Sequence, residues 1–106
     1  MKSITIKPRH KFNAQITVRN GIKFHSKKEA EYYDMLKLLQ KDGTVLFFLM
    51  QTRFHLPGNI KYLCDFQIFY SDGRVQFIDV KGMDTPLSKT KRKMVEQLYP
   101  VRIDIR

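Results

Sequence analysis

The chain has 106 residues and one cysteine, Cys64, which excludes an internal disulfide and fits a reducing cytoplasm. Its 20 Lys and Arg outnumber its 10 Asp and Glu, so the net charge is +10, with basic residues concentrated at both ends and acids in the middle. No apolar run approaches the roughly 18 residues that cross a bilayer, and the start lacks a signal-peptide core. We expect one cytoplasmic domain over residues 1–106, with no membrane segment.

The charge distribution favours a polyanionic partner. Basic ends around an acidic centre suit nucleic acid held near a metal site. A membrane-surface protein is the alternative, but no basic amphipathic helix of that type is evident.

The first third of the chain predicts an arm, a hairpin and a helix. Residues 1–20 form a basic N-terminal arm and the first hairpin strand, and Asn20-Gly21 between two short β-rich runs predicts the turn. Ser26, followed three residues later by Glu29, matches a capping box at the start of a helix. Apolar residues then recur at helical spacing until Asp42-Gly43 ends the helix.

The remaining two thirds predict three strands, a helix and a last strand. The strands cover residues 45–56, 62–70 and 74–80, the helix begins at Ser88 and runs to about Tyr99, and the last strand covers 101–105. This order predicts an α/β (α+β) core over residues 21–106, with a mixed central sheet flanked by helices. The last strand can join in parallel through a right-handed crossover.

Two acids and a lysine interrupt the predicted strands. Strands disfavour Asp, and two carboxylates on neighbouring strands repel each other unless a cation lies between them. If residues 71–73 form a three-residue loop with Gly73 in the left-handed position, Asp65 lies directly opposite Asp79, about 5 Å away at Cβ. A two-residue loop would turn the acids to opposite faces. The sequence therefore predicts the longer loop and a Mg²⁺ site between the two acids.

Lys81 lies two residues beyond Asp79 and projects to the same face if the strand continues. There it would orient a metal-bound water or neutralise charge on a phosphate. The alternative is a solvent-facing ion pair between Asp79 and Lys81, with Asp65 at a sheet edge.

These motifs resemble those of the PD-(D/E)XK nuclease superfamily. Asp65 is followed fourteen residues later by Asp79-x-Lys81, within helix, three strands, helix and strand. Within the superfamily the chain is similar to small phage-encoded endonucleases related in pattern to Holliday junction resolvases. The similarity runs from about residue 21 to 105 and includes segments 21–24, 26–30, 51–54 and 79–82. Cys64 stands where the superfamily's name implies proline, a position where proline is often replaced.

The resemblance implies a restriction-endonuclease-like αβββαβ core and a metal-dependent endodeoxyribonuclease. Asp65, Asp79 and the backbone carbonyl of Val80 would ligate Mg²⁺ or Mn²⁺, and Lys81 would be the catalytic lysine. Water would attack the phosphorus in line and leave a 5′-phosphate.

Two further residues have both a functional and a structural interpretation. Glu29 matches the acid that such nucleases bring to the metal, as a catalytic residue and metal ligand, although a capping box alone explains it. Gln51 would support the active site from its strand, or simply pack there.

Clusters of basic residues are the candidate phosphate contacts, and a solvated helix face or cationic tail is the alternative. The candidate DNA-binding residues are Lys7, Arg9, Lys11, Lys27, Lys28, Lys89, Lys91, Arg92 and Lys93.

We expect the enzyme to select branched DNA, as a junction resolvase does in DNA recombination. The chain is too short for a separate sequence-reading domain, and Lys and Arg contacts to phosphates position DNA without reading it. Symmetric junction cutting needs two active sites, which predicts a homodimer. If the chain is phage-encoded, its location is the host bacterial cytoplasm. The alternatives are a duplex-nicking or other phage endonuclease of this fold, a non-catalytic DNA-binding module and an RNA-binding protein.

Overall fold

The structure is a computed structural model that describes residues 15–106. Its elements are β1 (Thr17–Arg19), β2 (Ile22–Phe24), α1 (Lys27–Lys41), β3 (Val45–Leu56), β4 (Ile60–Tyr70), β5 (Val75–Asp79), α2 (Pro86–Leu98) and β6 (Ile103–Ile105). The predicted order of helix, three strands, helix and strand is confirmed. The predicted basic arm, with Lys7, Arg9 and Lys11, lies outside the described residues. Neither helix in residues 15–106 is long and apolar enough to cross a membrane.

A mixed four-stranded sheet forms the centre of the domain. Its order is β3-β4-β5-β6, with antiparallel pairing among the first three strands and parallel pairing of β6 with β5. The parallel addition of the last strand, predicted from the helix before it, is confirmed. The strands β1 and β2 form a separate two-stranded sheet.

The β1–β2 hairpin turns where the sequence predicts. Arg19 pairs with Ile22, which leaves Asn20 and Gly21 as a two-residue loop with positive φ angles of 51° and 78°. Positive φ at both loop positions is characteristic of a type I′ turn, whose backbone twist matches that of the two flanking strands. The Asn20 side chain donates to the Tyr33 hydroxyl at 3.1 Å, so the hairpin is anchored on α1.

Both helices begin at a hydroxyl cap. The Ser26 hydroxyl accepts from the Glu29 N–H at 3.1 Å, which confirms the predicted start of α1. The predicted cap of α2 at Ser88 is wrong, because the Thr85 hydroxyl accepts from the Ser88 N–H and the helix starts at Pro86. Proline suits the first helical position, where its missing N–H costs nothing.

Two apolar clusters hold the helices to the sheet. The first packs α1 against β4 and β5, and the second packs α2 against β6 and the far ends of β3 and β4. Ile78 belongs to the first cluster, whereas its neighbour Phe77 packs against the second. Because successive strand residues point to opposite faces, the two helices cover opposite faces of the sheet at β5.

The β4–β5 hairpin has the predicted three-residue loop. Phe66 pairs with Ile78 and Phe69 with Val75, and the Tyr70 N–H donates to the Arg74 carbonyl at 2.9 Å. Gly73 closes the loop with a φ of 94°. In this register Asp65 falls opposite Asp79, and the two-residue loop is excluded.

Replacing Gly73 by Ala should lower the free energy of unfolding by about 1–2 kcal/mol, the cost of left-handed backbone for an L-residue. A Cβ at Gly73 would meet no atom within 4 Å, so the loss comes from the backbone and not from a clash. Urea unfolding measures it. Gly82→Ala is the matched control, since Gly82 also has open space but no positive φ. Equal stability of the two variants would contradict the assigned turn.

Candidate functional site

The candidate site lies where β4 and β5 stop pairing. The last backbone pair is Phe66 with Ile78. One residue further, the Asp65 N–H donates to Asp79 Oδ1 at 2.7 Å, and the Val80 N–H donates to Asp65 Oδ2 at 2.9 Å. Each carboxylate thus bonds to the backbone of the opposite strand. This explains why β5 ends at Asp79 and not at Val80 as the sequence predicts, because the Val80 amide is used by a side chain.

Asp79 is a buried carboxylate with one free oxygen. The residue is 1% exposed, and its Oδ2 is buried without a hydrogen-bond partner. Burial raises the pKa of Asp79, while the Asp65 amide and the cations of Lys81 and Arg92 pull it down. A buried polar atom without a partner is rare and costly. The alternative of a solvent-facing ion pair is therefore wrong for Asp79.

Lys81 is the nearest cation to that free oxygen. Its Nζ lies 3.7 Å from Asp79 Oδ2, and its side chain is 24% exposed. The Lys81 N–H donates to the Arg106 carbonyl at 3.0 Å, and the Lys28 ammonium donates to the Lys81 carbonyl at 3.0 Å. These contacts hold the backbone of the lysine from both sides. They also give Lys28, predicted only as a phosphate contact, a position beside the site.

Glu29 reaches the same site from α1. Its backbone is capped by Ser26, but its buried carboxylate lies 3.5 Å from the Gln51 amide nitrogen. Burial, and then the charge of Asp65, raise the pKa of Glu29 to about 7. The carboxylate therefore lies among the acids of the site, although a hydrogen bond with the His25 backbone, just before the helix, lowers its pKa in part.

Gln51 connects two of the acids. Its Nε2 lies 3.2 Å from Asp65 Oδ1 as well as 3.5 Å from Glu29 Oε2. Its backbone φ is 56°, although it lies within β3. A left-handed glutamine inside a strand is strained, and such strain concentrates at functional sites. Gln51 was predicted near the site only from the family resemblance. Its left-handed backbone could not be predicted, because glycine and asparagine are the residue types that indicate this conformation.

The predicted basic contacts fall into two groups. Lys27, Lys89 and Lys93 are exposed, and Lys91 is partly buried. Arg92 differs, because its guanidinium donates to both oxygens of Asp84, at 3.0 and 2.7 Å.

Arg92, predicted as a phosphate contact, is thus paired with an acid that precedes α2. Glu96, within α2, accepts from the Ile103 N–H at 2.8 Å. Sequence reasoning missed the Asp84–Arg92 pair because the two residues are separated by the helix cap at Thr85.

Cys64 lies next to Asp65, but its thiol is not accessible to solvent or reagents. It is fully buried, and its Sγ donates to the Ile78 carbonyl at 3.4 Å. Burial raises the pKa of the Cys64 thiol to about 12.

The Cys64 thiol should resist alkylation in the folded protein, because only an accessible thiolate reacts. We expect iodoacetamide at pH 8 to label the native protein at least about 100 times more slowly than the protein unfolded in urea. Mass spectrometry over time measures both rates. Rapid labelling of the native protein, with circular dichroism showing it folded, would contradict the burial of Cys64.

The donors at this site suit a hard divalent cation. Within residues 15–106, no three His, Cys, Asp or Glu side chains are grouped closely enough to hold a metal ion as they stand. Asp65 and Asp79 each bond to a backbone amide, yet the buried Oδ2 of Asp79 remains unsatisfied. Carboxylate and carbonyl oxygens are the ligands that Mg²⁺ prefers. The orphaned oxygen is what a cation would satisfy.

The protein is an α+β domain in which two buried acids, Glu29 and Asp79, lie near Lys81 where β4 and β5 stop pairing. Residues 9–105 match the family described as a protein of unknown function (DUF1064), and the chain belongs to that family. No curated protein and no solved structure matches the chain.

Proposed function

We propose that the protein is a divalent-metal-dependent DNA endonuclease of the PD-(D/E)XK superfamily. The observation that carries the proposal is the unsatisfied, buried Oδ2 of Asp79, which lies beside Lys81 while the other oxygen bonds to Asp65. In a purely structural ion pair, both carboxylate oxygens would be expected to accept hydrogen bonds. A carboxylate that binds a metal ion instead keeps one oxygen available for that ion.

Four groups would hold Mg²⁺ or Mn²⁺: the carboxylates of Asp65, Asp79 and Glu29, and the backbone carbonyl of Val80. When bound, the metal would supply charge stabilisation at the phosphate and a more acidic water. Gln51 keeps the Asp65 and Glu29 carboxylates together through its amide.

Lys81 supplies a fixed positive charge at the site. Its side chain is partly exposed, so the ammonium can meet a phosphate at the surface while it remains near Asp79. A preorganised cation that faces a developing negative charge lowers the barrier without reorganisation. In the metal-free protein burial raises the pKa of Glu29 to about 7, so this carboxylate exchanges a proton near neutral pH, and a bound cation would lower that pKa.

DNA is the polyanionic substrate in this proposal. The net charge is +10, and the exposed Lys27, Lys89 and Lys93 are free to contact phosphates in a manner that does not depend on base sequence. We therefore propose branched DNA as the preferred substrate and a homodimer as the unit that cuts a junction symmetrically. The protein would act in the cytoplasm.

The test is a cleavage assay on end-labelled four-way junction, flap, single-stranded and linear duplex DNA, each with Mg²⁺, Mn²⁺ or chelator. Metal-dependent cutting with a preference for the branched forms supports the proposal. Preferential cutting of linear duplex would instead favour the nicking enzyme.

Two further measurements separate the remaining alternatives. Tight DNA binding with no cutting under any metal would leave a non-catalytic binding module, and tighter binding to matched RNA forms would favour an RNA-binding protein. Light scattering with and without junction DNA tests the homodimer, and a monomer in both states would overturn it.

A further inference from the structure

A cavity of about 250 Å³ opens beside the acidic site, between β2 and β3. It is lined by Ile22, Lys23, Phe24, His25, Glu29, Met50 and Gln51. Asp65, Asp79 and Lys81 are not part of it, so it is a neighbouring space. Glu29 and Gln51 are shared, because both form part of the cavity wall, Gln51 also donates to Asp65, and Glu29 is one of the acids of the site.

The lining of the cavity has two chemical characters. Ile22 and Met50, which are partly exposed, supply apolar surface, whereas Phe24 is 3% exposed and adds little. His25, Glu29 and Gln51 supply hydrogen-bonding groups. Apolar walls with a few polar groups are typical of sites that bind a flat heterocycle and fix its orientation. A nucleobase has that combination, with apolar ring faces and a polar edge.

The size of the cavity also fits one base. At about 250 Å³ it lies just below the range of roughly 300–1,000 Å³ that is typical of sites for drug-sized ligands, which suits a single base and is too small for a base pair. The site is also preformed, because the Arg19–Asp34 ion pair at 2.9 Å and the Asn20–Tyr33 hydrogen bond fasten the hairpin wall to α1.

We propose that this cavity binds one unpaired nucleobase of a DNA strand and thereby directs cutting to DNA with unpaired or displaced nucleotides. The inference rests on the proposed function and names the feature of branched DNA that the protein recognises. A base must be unpaired and unstacked before it can enter the cavity, and this costs least where a flap, a bulge or a mismatch has already removed its partner. The exposed Lys23 at the rim contacts the phosphate of the same nucleotide.

The test measures binding in chelator, so that it does not depend on cleavage. The probe is a DNA duplex with one unpaired 2-aminopurine, compared with the same duplex carrying an abasic site at that position and with a fully paired duplex. We expect binding about tenfold tighter for the unpaired base than for the abasic site, a difference of about 1.4 kcal/mol, with a change in 2-aminopurine fluorescence. An RNA duplex with the same unpaired base distinguishes DNA from RNA.

Variants connect the preference to the cavity. Ile22→Phe fills the space and should remove the tenfold preference. His25→Ala, at an exposed position that leaves the core intact, should reduce it. Val18→Phe is the matched control, because it adds the same ring to a 55% exposed position on the neighbouring strand and outside the cavity. It should keep the full preference.

The outcomes separate this inference from the nuclease proposal. Cutting without any preference for an unpaired base would overturn the cavity assignment and leave the nuclease standing. A base preference in chelator, lost in Ile22→Phe and reduced in His25→Ala, would support the cavity even if no metal produced cutting. Tighter binding to the RNA duplex would overturn the assignment of DNA, and a preference retained by both cavity variants would overturn the site.

Discussion

Asp79→Asn should lower the DNA cleavage rate by about 10³-fold and leave the protein folded. Asparagine keeps the shape of Asp79 but removes its negative charge. A rate loss of this size is typical when an enzyme loses one group that stabilises charge in the transition state. The variant keeps an oxygen that can accept from the Asp65 N–H, the contact that Asp79 Oδ1 makes at 2.7 Å. We therefore expect its free energy of unfolding to change by no more than about 1 kcal/mol.

The measurement is cleavage of a labelled junction under single-turnover conditions in Mg²⁺, beside urea unfolding of each variant. Asp72→Asn is the matched control, because Asp72 is an exposed acid in the loop of the same hairpin. It should cut at the wild-type rate. An Asp79→Asn protein that cuts as fast as wild type, or a control that loses activity equally, would remove Asp79 from the active site.

Glu29→Gln should stabilise the metal-free protein at pH 8 by as much as about 3 kcal/mol and have little effect at pH 4. The pKa of Glu29 is raised from 4.5 to about 7 in the folded state, mainly by burial. The folded protein therefore binds the proton more tightly than the unfolded chain. Wild-type stability is complete below pH 4.5, falls as pH rises from 4.5 to 7, and levels off above that. Glutamine imitates the protonated acid and abolishes this fall, at about 1.4 kcal/mol for each pKa unit.

Urea unfolding in chelator between pH 4 and pH 8 measures the effect. Glu31→Gln, an exposed neighbour on the same helix, is the control and should follow the wild-type profile. The experiment also decides between the two interpretations of Glu29. If its carboxylate mainly caps the helix, Glu29→Gln will be no more stable than wild type at pH 8. That result would contradict its place among the acids of the site.

The local features of the chain could be predicted from sequence because short-range geometry determines them. The Asn20-Gly21 turn and the Ser26 cap depend on residues within four positions of each other. The register of the β4–β5 hairpin follows in the same way, since Gly73 supplies the left-handed position that a three-residue loop needs. With a strand period of two, that loop alone places Asp65 opposite Asp79.

Tertiary structure decided how those acids behave. The burial of Asp79 and of its free oxygen depends on distant segments that pack around the ends of β4 and β5, an arrangement with no counterpart in local sequence. Gln51 contacts Asp65 and Glu29, which lie 14 and 22 residues away, through a left-handed backbone that its residue type does not indicate. The position of a side chain in a fold follows from local backbone preferences, but its pKa and its partners depend on which distant segments exclude water from it.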